Sequence, residues 1–164
     1  MDFTLGIYSF FSSFVLFNIL LFAYTRYKDP YIDAANIPIN SSNLDSLPLF
    51  SIVVPVKNEE ENIRNCVQSC INQSYPKKEI IIVNDGSTDR TAEVLDDMRR
   101  EEKAKNHDNQ QLRILHLSRS VGKKKAIEFA SQISKGEIYA FMDSDCDMAY
   151  DAVEKAAKIF ISDK

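Results

Sequence analysis

Two different hydrophobic patterns share this chain. Residues 3–25, FTLGIYSFFSSFVLFNILLFAYT, carry no charge and place Phe, Leu and Ile at every helical phase, the signature of a helix apolar on all sides. From residue 49 onward, short β-rich runs alternate with segments whose apolar residues recur at i, i+3 and i+4. The run FSIVVPV (50–56) reads as a strand. Asn58, with Glu61 three residues on, reads as the N-cap of a helix whose Ile63, Cys66, Val67, Cys70 and Ile71 form one stripe ending at 74–76. EIIIV (79–83) reads as the next strand. It is followed by the loop NDGSTD and a helix from about Thr88 with Ala92, Val94, Leu95 and Met98 on its apolar side. Residues 101–111 are polar and read as an exposed loop. After the strand LRILHL (112–117), a helix over 123–135 is expected to bury Ala126, Ile127, Ala130 and Ile133 and to stop at Gly136 as its C′ residue. The strand EIYAFM (137–142) leads into DSDCD (143–147), and a last helix over about 150–161 carries Val153, Ala156, Ala157 and Phe160. This order predicts an α/β fold, a mostly parallel sheet with helices on both faces.

The apolar head, residues 1–25, reads as one transmembrane helix, because 23 uncharged residues rise roughly 35 Å against a hydrocarbon core of about 30 Å. Asp2 precedes the run while Arg26 and Lys28 follow it. The positive-inside bias therefore places the N-terminus outside and the body in the cytosol, a single-pass membrane arrangement. Residues 26–48 carry three prolines without periodicity and read as a juxtamembrane linker, so the folded body is 49–164.

Composition adds exclusions. The chain has 164 residues, 20 Lys+Arg and 24 Asp+Glu, a net charge of -4, and only 3 Cys. It is too short for several domains, is not a disulfide scaffold, and offers no electrostatic case for nucleic acid. Cys66 and Cys70, spaced i, i+4 on an apolar stripe, read as small buried hydrophobes rather than metal ligands.

Ligands of open parallel sheets bind beyond the carboxyl ends of the strands. The unusual polar residues here fall there: Lys57, Asn58 and Glu59 after the first strand, 84–87 after the second, and Asp143, Ser144 and Asp145 after the fourth. Clustered carboxylates repel one another unless a cation offsets them. Asp143, Asp145 and Asp147 thus point to Mg²⁺ or Mn²⁺, sharing its shell with diphosphate oxygens. An EF-hand is excluded, having no Gly at its sixth position. The segment 119–125, RSVGKKK, brings cations and a glycine to a helix start, a place suited to phosphate. It is not a Walker A loop.

These motifs, taken in order, resemble the family 2 glycosyltransferases of the GT-A fold over roughly residues 50–160. SIVVPVKNEEENI is similar to that family's opening strand and N-E-E turn, and VNDGSTD (83–89) to its V-[ND]-D-G-S-x-D loop. RSVGKKKA (119–126) resembles R-x-x-G-K-x-x-A with Ser120 in place of the common Asn, and FMDSD (141–145) resembles the strand that ends in the D-x-D motif. The resemblance implies metal-assisted, inverting transfer of a sugar from a nucleotide-diphosphate donor, most commonly a UDP-sugar, to a saccharide or lipid acceptor hydroxyl. Polysaccharide or glycolipid synthesis is the implied setting. It assigns Pro55, Lys57, Asn58, Glu59, Asp85, Lys123, Asp143 and Asp145 to nucleotide-sugar binding, with Asp85 on the base and Asp143 and Asp145 on the metal. In the family the domain continues past the helix after D-x-D, where the general base lies, so no catalytic base is assigned among these residues. Two arrangements stay open: the front of a longer or split enzyme, with a second chain supplying the rest, or a noncatalytic, membrane-tethered nucleotide-sugar-binding half.

Overall fold

The structure, a computed structural model, describes residues 3–26, 46–105 and 111–162. A helix α1 (Phe3–Arg26) is followed by β1 (Phe50–Val56), α2 (Ile63–Ile71), β2 (Lys78–Asn84), α3 (Thr91–Lys105), β3 (Leu112–His116), α4 (Lys123–Ile133), β4 (Ile138–Phe141) and α5 (Ala152–Ser162). The expected α/β fold is present. The four strands form one sheet in the order β3-β2-β1-β4, and every pairing is parallel.

Side-chain alternation divides the strands between two faces, as a period of two requires. Phe50, Ile52, Val54 and Val56 of β1, with Ile80 and Ile82 of β2, pack into a large core with Ile63, Cys66, Val67 and Cys70 of α2, Leu95 and Met98 of α3, and Val153 and Ala157 of α5. Val53, Ile81 and Val83 point the other way onto Ala126 and Ala130 of α4. Each fully buried Val, Ile or Leu contributes about 1.5–3 kcal/mol, so the face bearing three helices carries most of the hydrophobic stabilisation.

Several expectations need correction. Asn58 does not cap α2. The helix begins at Ile63 behind Asn62, whose side chain makes no capping bond, because Asn58 is engaged by a neighbouring loop. Residues 101–105 are helical rather than loop. Glu, Lys and Ala favour helix, Arg64 pairs with Glu101 at 3.0 Å, and Glu102 is buried. α4 ends at Ile133 with Ser134 extended, so Gly136 is not a left-handed C′ residue. It is needed for close approach instead: a Cβ there would lie 2.3 Å from Ser51 Oγ and 2.7 Å from its backbone nitrogen. Ile133, expected in the core, is exposed, as are Phe129, Tyr139 and Phe141 on the same side of the sheet.

Membrane crossing by residues 3–25 is not supported. Among the described residues no helix is long and apolar enough to cross a membrane. The described side chains of α1 run over 12–24, about 20 Å of helix, and all are exposed. Most of the expected linker, residues 27–45, lies outside the described residues.

Candidate functional site

The chain leaves β1 at Val56 through a turn in which Asn58 adopts a positive φ of 54°, a conformation Asn tolerates better than most residues. This turn is bonded edge to edge onto the loop after β2. The Asn58 N–H donates to Ser87 Oγ at 2.9 Å, and Asn58 Oδ1 accepts from the Thr88 N–H at 2.8 Å. The Glu59 N–H donates to Thr91 Oγ1 at 2.9 Å, while Glu60 Oε2 accepts from the Arg90 N–H at 2.8 Å. Asn58 and Glu60 therefore act chiefly as a clamp between two loops.

The loop after β2 turns at Gly86, φ 62°, where a Cβ would stand 2.6 Å from the Ser120 backbone nitrogen. Only glycine fits, because the 119–122 segment passes directly over it. Asp85 holds that segment down. Its Oδ1 accepts from the Val121 N–H at 2.6 Å, and its Oδ2 accepts from Ser120 Oγ at 2.8 Å and from the Gly122 N–H at 2.9 Å. Burial pushes the Asp85 carboxyl up, but these three donors and the nearby Lys57 charge outweigh it and hold the carboxyl below its ordinary value. A carboxylate has about four lone-pair sites, so the Asp85 carboxylate retains capacity for about one more donor. Ser120 is shared, since its Oγ also accepts from Lys57 Nζ at 3.1 Å.

The acidic loop follows β4. Its backbone is carried by α2 and the turn after it: Cys66 Sγ donates to the Asp143 carbonyl at 3.7 Å, Ser69 Oγ accepts from the Met148 N–H at 2.9 Å, and Gln73 Nε2 donates to the Ala149 carbonyl at 2.7 Å. The Cys66 thiol is pushed up by its hydrogen bond with Cys70 and by burial, so it acts as a neutral donor. Asp143 and Asp145 face a cleft of about 380 Å³ lined also by Pro55, Lys57, Glu59, Asp85, Ser120, Gly122, Lys123 and Ser144. Lys123, in the first turn of α4, forms an ion pair with Asp143 across it.

Three strand-end loops and the start of α4 thus meet as the parallel-sheet rule expects. Seven of the eight residues expected to bind the nucleotide sugar line the cleft; Asn58 does not. Ser120, Gly122 and Ser144 line it as well. In the sequence Ser120 and Gly122 stand in the segment suited to phosphate and Ser144 among the polar residues after the fourth strand, but none of the three is assigned there to the nucleotide sugar.

The residues fit a divalent cation shared with an anionic ligand. Two hard carboxylates of the acidic loop, Asp143 and Asp145, border the cleft, and a lysine ammonium already stands on one of them as a stand-in cation. Among the described residues no group of three or more His, Cys, Asp and Glu could hold a metal ion by itself. Phosphate oxygens would have to complete the shell, as they commonly do for Mg²⁺.

Comparison with known proteins gives the family and the fold. The model of glycosyl transferase family 2 matches residues 51–164, and the chain belongs to that family. The hyaluronan synthase of Pasteurella multocida is 36% identical over 139 residues, covering 85% of this chain and 14% of that protein. A chondroitin synthase of the same species, strain Pm70, is 36% identical over 137 residues, covering 84% of this chain and 13% of its own length. The chain therefore spans only about a seventh of these relatives. Among solved structures, the mannosyltransferase PcManGT of Pyrobaculum calidifontis, in complex with GDP-Man and Mn²⁺, superposes with a TM-score of 0.62 at 26% identity, covering 88% of this chain and 40% of that one. S. aureus TarS 1–349 in complex with UDP-GlcNAc gives 0.59 at 28% identity over 70% of this chain and 31% of that one. The sheet and helices are GT-A-like.

Proposed function

We propose that this chain carries the donor-binding site of a glycosyltransferase that moves a sugar from a nucleotide-diphosphate sugar, a UDP-sugar in the simplest reading, to an acceptor hydroxyl with inversion. The observation that carries this reading is the cleft itself, where Lys57 and Lys123 face Asp143 and Asp145 across a space sized for a small ligand. Its two sides suit the two ends of a metal diphosphate. Lys57 and the first turn of α4, with Lys123, present positive charge to phosphate oxygens. Asp143 and Asp145 would hold Mg²⁺ or Mn²⁺, which when bound supplies charge stabilisation to the departing diphosphate. Asp85 orients the 119–122 loop and keeps one acceptor position for the base. Pro55 and Glu59 wall the cleft on the β1 side. The relatives' names favour polysaccharide synthesis, with a saccharide acceptor.

We also propose membrane attachment through α1, with the body in the cytosol. The exposed Phe14, Leu16, Phe17, Leu20 and Phe22 support it, as does the placement of Arg26 and Lys28 after the apolar run. Membrane fractionation of the full chain tests this part: Leu16→Arg with Leu20→Arg is expected to release it, and unchanged partition into the soluble fraction overturns it.

Calorimetric titration of the full chain with UDP and Mn²⁺ tests the site. Binding should need the metal and weaken about tenfold or more in Asp145→Ala. Binding indifferent to both the metal and the substitution overturns the assignment.

A further inference from the structure

Lys123 sits where two opposing demands meet. It is the first residue of α4, and no acidic residue lies in the first turn, where Lys124 and Lys125 follow it. Cations at a helix N-terminus oppose the macrodipole and repel one another. Asp143 offsets this by pairing with Lys123 across the cleft. The pairing has a cost for the acidic loop, since one of the two carboxylates it brings to the cleft is already matched to a positive charge. With no third protein ligand among the described residues, a divalent cation arriving alone must take Asp143 from Lys123. It must also leave that lysine unpaired beside two others. A diphosphate arriving with the metal removes both penalties, because its oxygens complete the metal shell and give Lys123 a new anion at the helix start.

We propose that Lys123 is a counter-ion exchanged during ligand binding, held by Asp143 in the free chain and passed to the diphosphate as the metal takes Asp143, so that metal and nucleotide bind with positive coupling. This rests on the nucleotide-sugar reading above and goes beyond it: Lys123 sets how strongly the two ligands depend on each other. Linkage requires the same factor in both directions, so UDP strengthens Mn²⁺ binding as much as Mn²⁺ strengthens UDP binding.

The test measures Mn²⁺ affinity of the full chain by electron paramagnetic resonance, without nucleotide and with UDP, in wild type, Lys123→Met, Lys123→Arg and Lys124→Met. The Lys123 side chain is 62% exposed, so its replacement leaves the core untouched. Lys123→Met should bind Mn²⁺ alone about threefold to tenfold more tightly, the size expected of an exposed ion pair plus a removed like charge. The same variant should bind UDP with Mn²⁺ more weakly, so one substitution moves two affinities in opposite directions. Lys123→Arg should keep both near wild type, and Lys124→Met should shift Mn²⁺ binding less than Lys123→Met. Unchanged or weaker Mn²⁺ binding in Lys123→Met overturns the exchange, and so does an equal gain in Lys124→Met, which would mark net charge as the cause. A wild-type chain whose Mn²⁺ affinity ignores UDP overturns the nucleotide-sugar reading together with the coupling. Wild-type coupling that survives intact in Lys123→Met overturns the exchange alone.

Discussion

Strand β2 has a buried carboxylate at each end, and the two serve opposite purposes. Glu79, near its start, and Asp85, one residue past its end, are 6% and 4% exposed. Glu79 accepts from Ser51 Oγ and, at 2.6 Å, from the Lys135 N–H, and it pairs with Arg113, which in turn donates to the Ile133 carbonyl. Every partner is part of the fixed frame: β1, β3 and the link between α4 and β4. Asp85 has three donors against four on Glu79, where the Gly136 N–H also donates at 3.1 Å, but they belong to a loop whose other side forms the cleft wall. A similar solution to burying a charge thus closes the sheet at one end and shapes a ligand site at the other. What separates structural from functional burial here is the destination of the bonded segment, not the degree of burial or the sign of the titration shift.

The comparison breaks most visibly at the closed end. Glu79→Ala should cost about 3 kcal/mol in urea unfolding, because Arg113 and Ser51 lose their acceptor together. Nucleotide affinity of the folded protein should stay within about twofold of wild type. A large loss of affinity without a loss of stability would merge the two ends.

The glycines give a matched pair with a somewhat smaller effect. Gly136→Ala and Gly86→Ala each force a Cβ to within 3 Å of backbone, and each should cost about 2 kcal/mol by thermal melting. Gly86→Ala should in addition weaken UDP binding, since the displaced atoms belong to Arg119 and Ser120, whereas Gly136→Ala should not. Asp85→Asn is milder, about 1–2 kcal/mol, as the amide keeps the shape but loses charge-assisted bonds to two N–H groups and a hydroxyl. Isothermal titration should show most of its effect in binding.

Acidification should separate the ends least. Both carboxyls titrate below their ordinary values when folded. Burial pushes Glu79 up, but the Ser51 hydroxyl, the Lys135 N–H and Arg113 outweigh it, and Asp85 behaves likewise. Their stabilisation is therefore complete above the unfolded pKa of about 4 and is lost as pH falls through the lower folded values. Chemical denaturation repeated from pH 7 to 5 should give nearly constant contributions from both. A decline within that range would mean that at least one carboxyl is not held down as described.

The strands were the legible part of the sequence. β1 matches its expected span at both ends because an unbroken run such as SIVVPV is favourable only as a strand buried on both faces. Asn58 misled because Asn with Glu three residues on is a capping signal in isolation, while its partners Ser87 and Thr88 arrive only when two loops meet. Seven of the eight expected site residues could be placed because strand ends converge in any parallel sheet. Ser120 escaped for the opposite reason. Its bonds run to residues 35 and 63 positions away, a distance over which local pattern carries no information.

Helix α2 contributes no side chain to the cleft, yet two of its residues, Cys66 and Ser69, and Gln73 just past its end hold the backbone of the acidic loop from behind. In a saturation screen selected for donor binding, these positions should score as sensitive in a spaced pattern along one helix and the residues just past its end. A map of loss-of-function alleles would then trace a second, hidden outline of the site on an element that the ligand never touches.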